Sequence, residues 1–213
     1  MSHVSEAAPG REGPFEFTGG AVCLDFVNTA RYQPPEREDL GSYDALVAWT
    51  EQAGLLRKAD VRALRAEAAR RAAEAERALA RVREFRSALY RVFSAVAAGK
   101  RVRPDDLAAI DRVAAEAASH AHLVSRQDGF GWELDAHALR SLEGPLWLLA
   151  RSGADLLTSG DLSAVRECAL DTCSWLFLDR SKNQKRRWCD MKVCGNRSKA
   201  RRHYARTRGA EKA

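Results

Sequence analysis

Four of the five cysteines in this sequence fall into two pairs with the same internal spacing. Four residues separate Cys168 from Cys173, four separate Cys189 from Cys194, and fifteen lie between the pairs. Two close pairs joined by about 10 to 20 residues are typical of a structural zinc site, in which each short loop offers two thiolates to one tetrahedral ion. The spacing therefore predicts a single Zn²⁺ ion bound by all four thiolates.

The energetics of so short a segment favour a metal over the other uses of cysteine. A segment of about 40 residues rarely folds on its own hydrophobic core, and structural zinc supplies roughly 10 to 16 kcal/mol. Redox catalysis would favour Cys-x-x-Cys, which is absent from the sequence. A catalytic zinc would keep an open position and usually bind histidine. Disulfides and four unrelated buried thiols are the alternatives, and a reducing compartment argues against disulfides.

The sequence carries neither a secretory nor a membrane-spanning feature. Residues 1–13 are polar and predict a disordered tail, and no run of about 20 apolar residues occurs. We therefore expect a cytoplasmic protein with reduced thiols and no membrane partner. Hydrophobic residues make up 46% of the 213 residues, enough to bury the core of one large domain or two small ones.

The positive charge of the chain is concentrated near its end. Twelve Lys or Arg and one acid, Asp190, lie between Arg180 and Arg208, which gives that segment a net charge of +11. Because the whole chain carries +6, the remainder carries −5. This asymmetry predicts a polyanionic partner for the basic end, and a solvated basic tail is the alternative.

Residues from 40 to about 160 have the apolar periodicity of helices. Leu46, Trp49 and Ala53 share one face of a helix that should end at Gly54. We expect Asp60 to cap a second helix that continues to Gly99, although its first half is too polar to bury much. Pro104 should open a further helix through about Ser119.

A short hairpin is expected after these helices. Residues 122–134 read as two strands with Asp128 and Gly129 at the turn. Asp135 should cap a helix that Gly144 and Pro145 interrupt. We expect three tryptophans on apolar faces to lie in the core: Trp49, Trp132 and Trp147.

The cysteine-rich segment itself predicts a hairpin followed by a helix. Residues 175–179 (WLFLD) read as a strand, 181–184 (SKNQ) as a turn and 186–189 (RRWC) as the returning strand. Such a hairpin would carry the second cysteine pair back beside the first. The residues after Cys194 have helix-forming composition and no proline. Loops, hairpin and helix around one zinc resemble a treble-clef finger.

Two motifs resemble known families. The run CGNR, from Cys194 to Arg197, resembles the name-giving motif of the CGNR zinc-finger family. The Leu176–Asp179 strand and Trp188 also match the pattern of that family. Residues 19–29 (GGAVCLDFVNT) resemble the start of the ABATE domain that usually precedes this finger. These families are described as stress-induced transcription regulators, so the resemblance implies a DNA-binding regulator.

The expected fold is mainly α, with two domains between short tails. An ABATE-like helical domain at 14–160, which contains the short hairpin, would bind a small-molecule effector or form a homodimer. A treble-clef-like finger with four cysteines at 161–208, built from a hairpin and a helix, would hold the zinc, and 209–213 would form a tail. No phosphate-binding glycine loop, serine elbow or kinase signature occurs, so we expect no enzymatic activity.

The basic residues of the finger are the candidate nucleic-acid contacts. Arg197, Arg201, Tyr204 and Arg208 recur at helical spacing, so they would share the face that enters a major groove. Asn196 and Arg197 would either contact bases or brace the zinc loop. RNA or an acidic protein partner is the alternative to duplex DNA. The candidates are Lys185, Arg186, Arg187, Asn196, Arg197, Lys199, Arg201, Arg202, Arg206 and Arg208.

Polar residues interrupt an apolar run near the start of the helical domain. Asp25, Asn28 and Thr29 stand among Leu24, Phe26 and Val27. One interpretation has them line a pocket for a small effector. In the alternative they cap a helix or satisfy buried backbone groups. The neighbouring Cys23 is expected to be a small buried hydrophobe.

Overall fold

The computed structural model describes residues 13–33, 36–126 and 129–201. Helices dominate, as expected. Those of the described residues are α1 (Val22–Val27), α2 (Tyr43–Gln52), α3 (Lys58–Arg70), α4 (Ala72–Ala97), α5 (Pro104–Ser119), α6 (Ala136–Arg140) and α7 (Gly144–Leu157). A 3₁₀ turn at Gly160–Ala164 follows α7, a π-turn spans Met191–Gly195, and residues 196–201 are helical.

The strands form three antiparallel pairs. They are β1 (Ala30–Arg31) with β2 (Arg37–Glu38), β3 (Ala121–Arg126) with β4 (Gly129–Leu134), and β5 (Val165–Glu167) with β6 (Leu176–Leu178). In the third pair Val165 lies opposite Leu178 and Glu167 opposite Leu176. The first and third pairs lie near the cysteine cluster, whereas the second is the hairpin predicted after α5.

The core is organised around α4. Its apolar residues recur at three- and four-residue steps, so one face buries Leu79, Val82, Leu89 and Phe93. The short helix α1 is buried along its whole length and contacts α4, α7 and β6. No helix of the described ranges is long and apolar enough to cross a membrane.

Several helix limits follow the sequence expectations. Leu46, Trp49 and Ala53 of the α2 segment are buried, and Gly54 follows with φ of +73°. The fifth helix begins at Pro104 and ends at Ser119. Asp135 caps α6 by accepting a hydrogen bond from the Ala138 N–H, and α7 begins at Gly144. Each of these boundaries is set by a local residue type whose backbone preference does not depend on the rest of the fold.

The single helix expected from Asp60 to Gly99 is wrong. Arg71, with φ of −130° and ψ of 55°, separates α3 from α4. Asp60 is not the cap: it lies in the first turn of α3 and accepts a hydrogen bond from Arg140. The surrounding Ala/Arg/Glu-rich residues are largely exposed, so no buried face holds them straight. The break lets α3 pack against α2 and α6 while α4 packs against α1 and α5.

The predicted hairpin forms, but its tryptophan is not in the core. Trp132 lies opposite Leu123 and is 49% exposed, whereas Trp49 and Trp147 are buried as expected. Trp132 shares a face of β4 with the buried Leu134, but it lines an open cavity of about 250 Å³ between the hairpin, α5 and α7, so part of the ring stays exposed. Asp128 of the predicted turn lies outside the described residues, as do the first twelve residues of the predicted tail and the segment from 202 onward.

Candidate metal centre

The four predicted ligands converge on one point. All four sulfur atoms lie within 4.8 Å of one another. Cys189 Sγ lies 3.8 Å from Cys173 Sγ and 3.6 Å from Cys194 Sγ. A tetrahedral zinc ion with Zn–S bonds of about 2.3 Å separates its sulfurs by about 3.8 Å. Both distances are too long for disulfides, and they match the sulfur separation of a tetrahedral zinc site.

The first cysteine pair is held by a tight turn. The Cys168 N–H donates to the Trp175 carbonyl, and the Cys173 N–H donates to the Leu170 carbonyl. The Leu170 and Cys189 N–H groups bond to the Cys168 sulfur. Backbone donors aimed at a sulfur stabilise its thiolate form and fix its direction toward a metal.

The second pair is shaped by the π-turn Met191–Gly195. The Asp190 carboxylate accepts a hydrogen bond from the Val193 N–H, and the Gly195 N–H donates to the Asp190 carbonyl. A Cβ at Gly195 would lie 2.5 Å from Met191 Sδ. Glycine at this position therefore lets the Met191 side chain lie directly over the backbone that carries Cys194.

The strand expected to return at 186–189 is absent. β6 pairs with β5 instead, and residues 185–190 have no regular secondary structure. The physical reason is Asp179, whose carboxylate accepts from the Ser181 N–H, the Ser181 hydroxyl and the Arg186 N–H. Because a side chain takes the Arg186 donor that a strand ladder would need, the chain closes as a compact loop. Two strands, from residues on both sides of the first cysteine pair, thus replace the predicted hairpin.

An apolar shell encloses the sulfurs. Leu170, Trp175 and Phe177 are buried against Cys168, Cys189 and Cys194, and the half-buried Trp188 packs on the same cluster. The shell keeps bulk water away from the thiolates, which strengthens their attraction to a cation. Trp188 therefore covers part of the site.

Hydrogen bonds among the four cysteines limit how many of them are ionised when no cation is bound. Hydrogen bonds from the Cys173 and Cys189 thiols lower the pKa of Cys168. The same sharing with Cys168 raises the pKa of Cys173 and Cys189, and burial raises the pKa of Cys194. Four adjoining thiols thus stabilise one negative charge. All four become ligands when a divalent cation supplies the compensating charge.

The nucleic-acid candidates that the structure describes lie on both sides of the second cysteine pair along the chain. The exposed residues among them are Lys185, Arg186, Arg187, Asn196, Arg197, Lys199 and Arg201. Arg201 lies 3.9 Å from the Asp171 carboxylate, and the Arg187 guanidinium lies 5.4 Å from the Trp188 ring centroid. Arg202, Arg206 and Arg208 lie outside the described residues, as does Tyr204.

Arg186 holds the second cysteine loop. Its guanidinium donates hydrogen bonds to the Trp188 and Cys189 carbonyls and lies 4.5 Å from the centroid of the buried Phe177 ring. A guanidinium with these three contacts is committed to the loop beside the metal centre. The sequence predicts a nucleic-acid contact for Arg186 from its charge, and the structure adds these bonds to the loop; Arg186 is exposed.

Two arginines that sequence reasoning missed lie beside the metal centre. Arg31 and Arg37, from β1 and β2, line a cavity of about 80 Å³ together with Arg197 and three of the cysteines. Glu16 and Asp190 line the same cavity. These arginines precede the finger by more than 120 residues in sequence, and no local pattern indicates the contact.

The three predicted effector residues are buried and make structural hydrogen bonds. Asp25 Oδ1 accepts from the Gly19 N–H at 2.7 Å. The Thr29 hydroxyl donates to the Phe26 carbonyl and accepts from Arg86. None of Asp25, Asn28 and Thr29 lines the cavity beside Trp132 or the cavity beside the cysteines. Their bonds correspond to the alternative interpretation, in which they satisfy buried polar groups.

Asn28 makes the longest-range of these bonds. Its side-chain amide donates to the Leu176 carbonyl at 2.9 Å, and its carbonyl oxygen accepts from the Leu176 N–H at 2.8 Å. The side chain therefore pairs with β6 as a neighbouring strand would. It ties α1 of the helical part to the segment between the two cysteine pairs.

Comparison with known families identifies two regions. The ABATE model, described as "Putative stress-induced transcription regulator", matches residues 20–160, about two thirds of the chain. The model of the CGNR zinc finger matches residues 164–207. No curated protein matches the chain. The second match contains all four clustered cysteines.

Proposed function

This chain belongs to the ABATE family and carries a CGNR zinc finger, and we propose that it is a zinc-dependent, DNA-binding transcription regulator. In this proposal the helical domain spans 14–160 and the finger 161–208. Zinc has a structural role, and the chain has no catalytic step. The observation that carries the proposal is a buried four-sulfur centre surrounded by exposed basic side chains.

Zinc is the metal that best suits the donor set. Four thiolates at tetrahedral spacing in an apolar shell favour a soft or borderline ion without a redox requirement. All four positions come from the protein, so no open position remains for a substrate. Elemental analysis of the purified protein should give one zinc per chain.

Duplex DNA is the proposed partner because exposed cations lie on the surface that the metal fixes. Lys185 and Arg187 precede the third cysteine, and Arg197, Lys199 and Arg201 follow the fourth. Each such cation in contact with a phosphate releases counterions, which makes the affinity depend on salt. The helix beginning at 196 would lie in the major groove, with arginine and asparagine side chains next to base edges.

The proposal is tested by fluorescence anisotropy with a labelled duplex at several salt concentrations. If Lys185 and Arg187 contact phosphates, the double variant Lys185→Ala/Arg187→Ala should make the log–log salt slope shallower by about 2. The matched control is Arg62→Ala/Lys100→Ala, which removes the same charge from exposed positions of the helical part.

Two outcomes would count against this proposal. Equal binding of duplex, single-stranded RNA and heparin would identify a generic polyanion surface in place of a DNA reader. Equal slopes for the two double variants would remove Lys185 and Arg187 from the interface.

A further inference from the structure

Two apolar side chains project from the otherwise basic surface of the finger. Met191 is 55% exposed and Val193 is 43% exposed. Among the described residues the other large exposed hydrophobics are Leu107 and three residues of the β3–β4 hairpin. Other large apolar residues of the finger are buried, namely Trp175, Leu176, Phe177 and Leu178. Within the described part of the finger, the large exposed hydrophobics Met191 and Val193 both lie in the π-turn.

The π-turn fixes the backbone that carries both side chains. A Cβ at Gly195 would lie 2.5 Å from Met191 Sδ and 3.7 Å from the Trp188 ring, so the Met191 side chain packs closely on this backbone. The backbone of Val193 is bonded to the Asp190 carboxylate, and the next residue, Cys194, belongs to the sulfur cluster. These hydrogen bonds fix the loop, and a metal bound to Cys194 would hold it further. Exposed apolar side chains on a rigid loop are typical of a surface that binds a partner.

The charges around this pair indicate which partner covers it. Lys192 lies between the two residues, and Arg197, Lys185 and Arg187 are exposed on the same small finger. A surface with this charge complements a polyanion. Phosphates offer nothing to an apolar side chain. In the major groove of duplex DNA, the apolar group on the base edges is the C5 methyl of thymine.

We propose that Met191 and Val193 form an apolar contact with thymine methyl groups in the major groove, so that the π-turn adds base preference to phosphate binding. This inference rests on the proposed function and names base-contacting residues within it. The basic residues supply affinity that depends on salt, and the apolar pair supplies a contribution that does not.

The test compares two duplexes that differ only in the thymine methyls. One is a mixed A·T-rich duplex, and the other has deoxyuridine at every thymidine. Removing one buried methyl should weaken binding of the wild-type protein about fourfold. The variant Met191→Ser/Val193→Ser should bind both duplexes equally, with the salt slope of the wild type. Leu107→Ser, at another half-exposed apolar position, should keep the wild-type preference.

Zinc content and near-ultraviolet circular dichroism of each variant show that the finger remains folded. Loss of the thymine preference in the π-turn variant alone supports the inference. If the wild type binds both duplexes equally and with a clear salt slope, the inference is overturned while DNA binding stands. If the wild type binds neither duplex, the proposed function fails and the inference fails with it.

Discussion

Replacing Asn28 with alanine would remove the side chain that bridges the helical part and the finger. The residue is 4% exposed, and its partner Leu176 is fully buried. The substitution leaves the Leu176 N–H and carbonyl without their amide partner. A buried polar group without a partner costs about 1 to 3 kcal/mol, so two such groups predict a loss of about 2 to 6 kcal/mol. For a chain of this size, a loss of about 3 kcal/mol lowers the melting temperature by about 6 to 12 °C.

Urea unfolding followed by circular dichroism, in zinc-containing buffer, measures this loss. Asn196→Ala is the matched control, because Asn196 is exposed and the same atoms are removed. Asn28→Asp keeps an acceptor for the Leu176 N–H and should be intermediate. The amide bridge would be refuted if Asn28→Ala cost less than about 0.5 kcal/mol, the range of ordinary surface changes. That result would return Asn28 to the effector interpretation, in which its substitution alters ligand binding and leaves stability unchanged.

Three further predictions concern the thiols and the helical part. First, a zinc chelator should expose four thiols to a disulfide reagent while Cys23 stays unreactive until denaturant is added, because burial raises the pKa of Cys23 to about 12; five equal reaction rates would contradict this. Second, Cys189→Ser should reduce bound zinc well below one per chain, whereas Cys23→Ser should keep full stoichiometry by elemental analysis. Third, the hydrogen bond from the Ala138 N–H lowers the pKa of Asp135 in the folded protein. The ionised cap therefore stabilises the fold at any pH above the usual carboxyl pKa. This contribution is lost as the pH falls through the lowered pKa of the folded state. Asp135→Asn should therefore flatten the acid limb of stability below about pH 4, and parallel curves for the two proteins would exclude that role.

The features predicted correctly are those encoded by neighbouring residues. The cysteine spacing identifies the sulfur cluster because two short loops can each direct two sulfurs to one ion. Pro104 fixes the start of α5 and Asp135 caps α6, since each acts on backbone within a few residues. The burial of Cys23 and of Trp49 likewise follows from the apolar residues beside them.

The features missed depend on contacts between distant segments or on competition for a donor. The sequence predicts a returning strand because 186–189 follow a turn sequence. The Asp179 carboxylate instead accepts the hydrogen bond of the Arg186 N–H. No pattern near residue 28 indicates that an asparagine pairs with residue 176. Arg31 and Arg37 join the finger for the same reason, because β1 and β2 fold against it through tertiary contacts.

These contacts join the finger to the helical part more firmly than a linker would. The Tyr90 and Ser94 hydroxyls donate to the Glu167 carboxylate on β5, the Tyr32 N–H donates to the Ser174 hydroxyl, and the Leu178 N–H donates to the Gly19 carbonyl. Each bond joins a residue of the helical part to β5, to β6 or to Ser174, which follows Cys173. A ligand that binds the folded state stabilises every element that must fold with its site. Metal binding would therefore stabilise α4 and the segment before α1 together with the finger, and the position of the basic surface would depend on the packing of the helical part as well as on the metal.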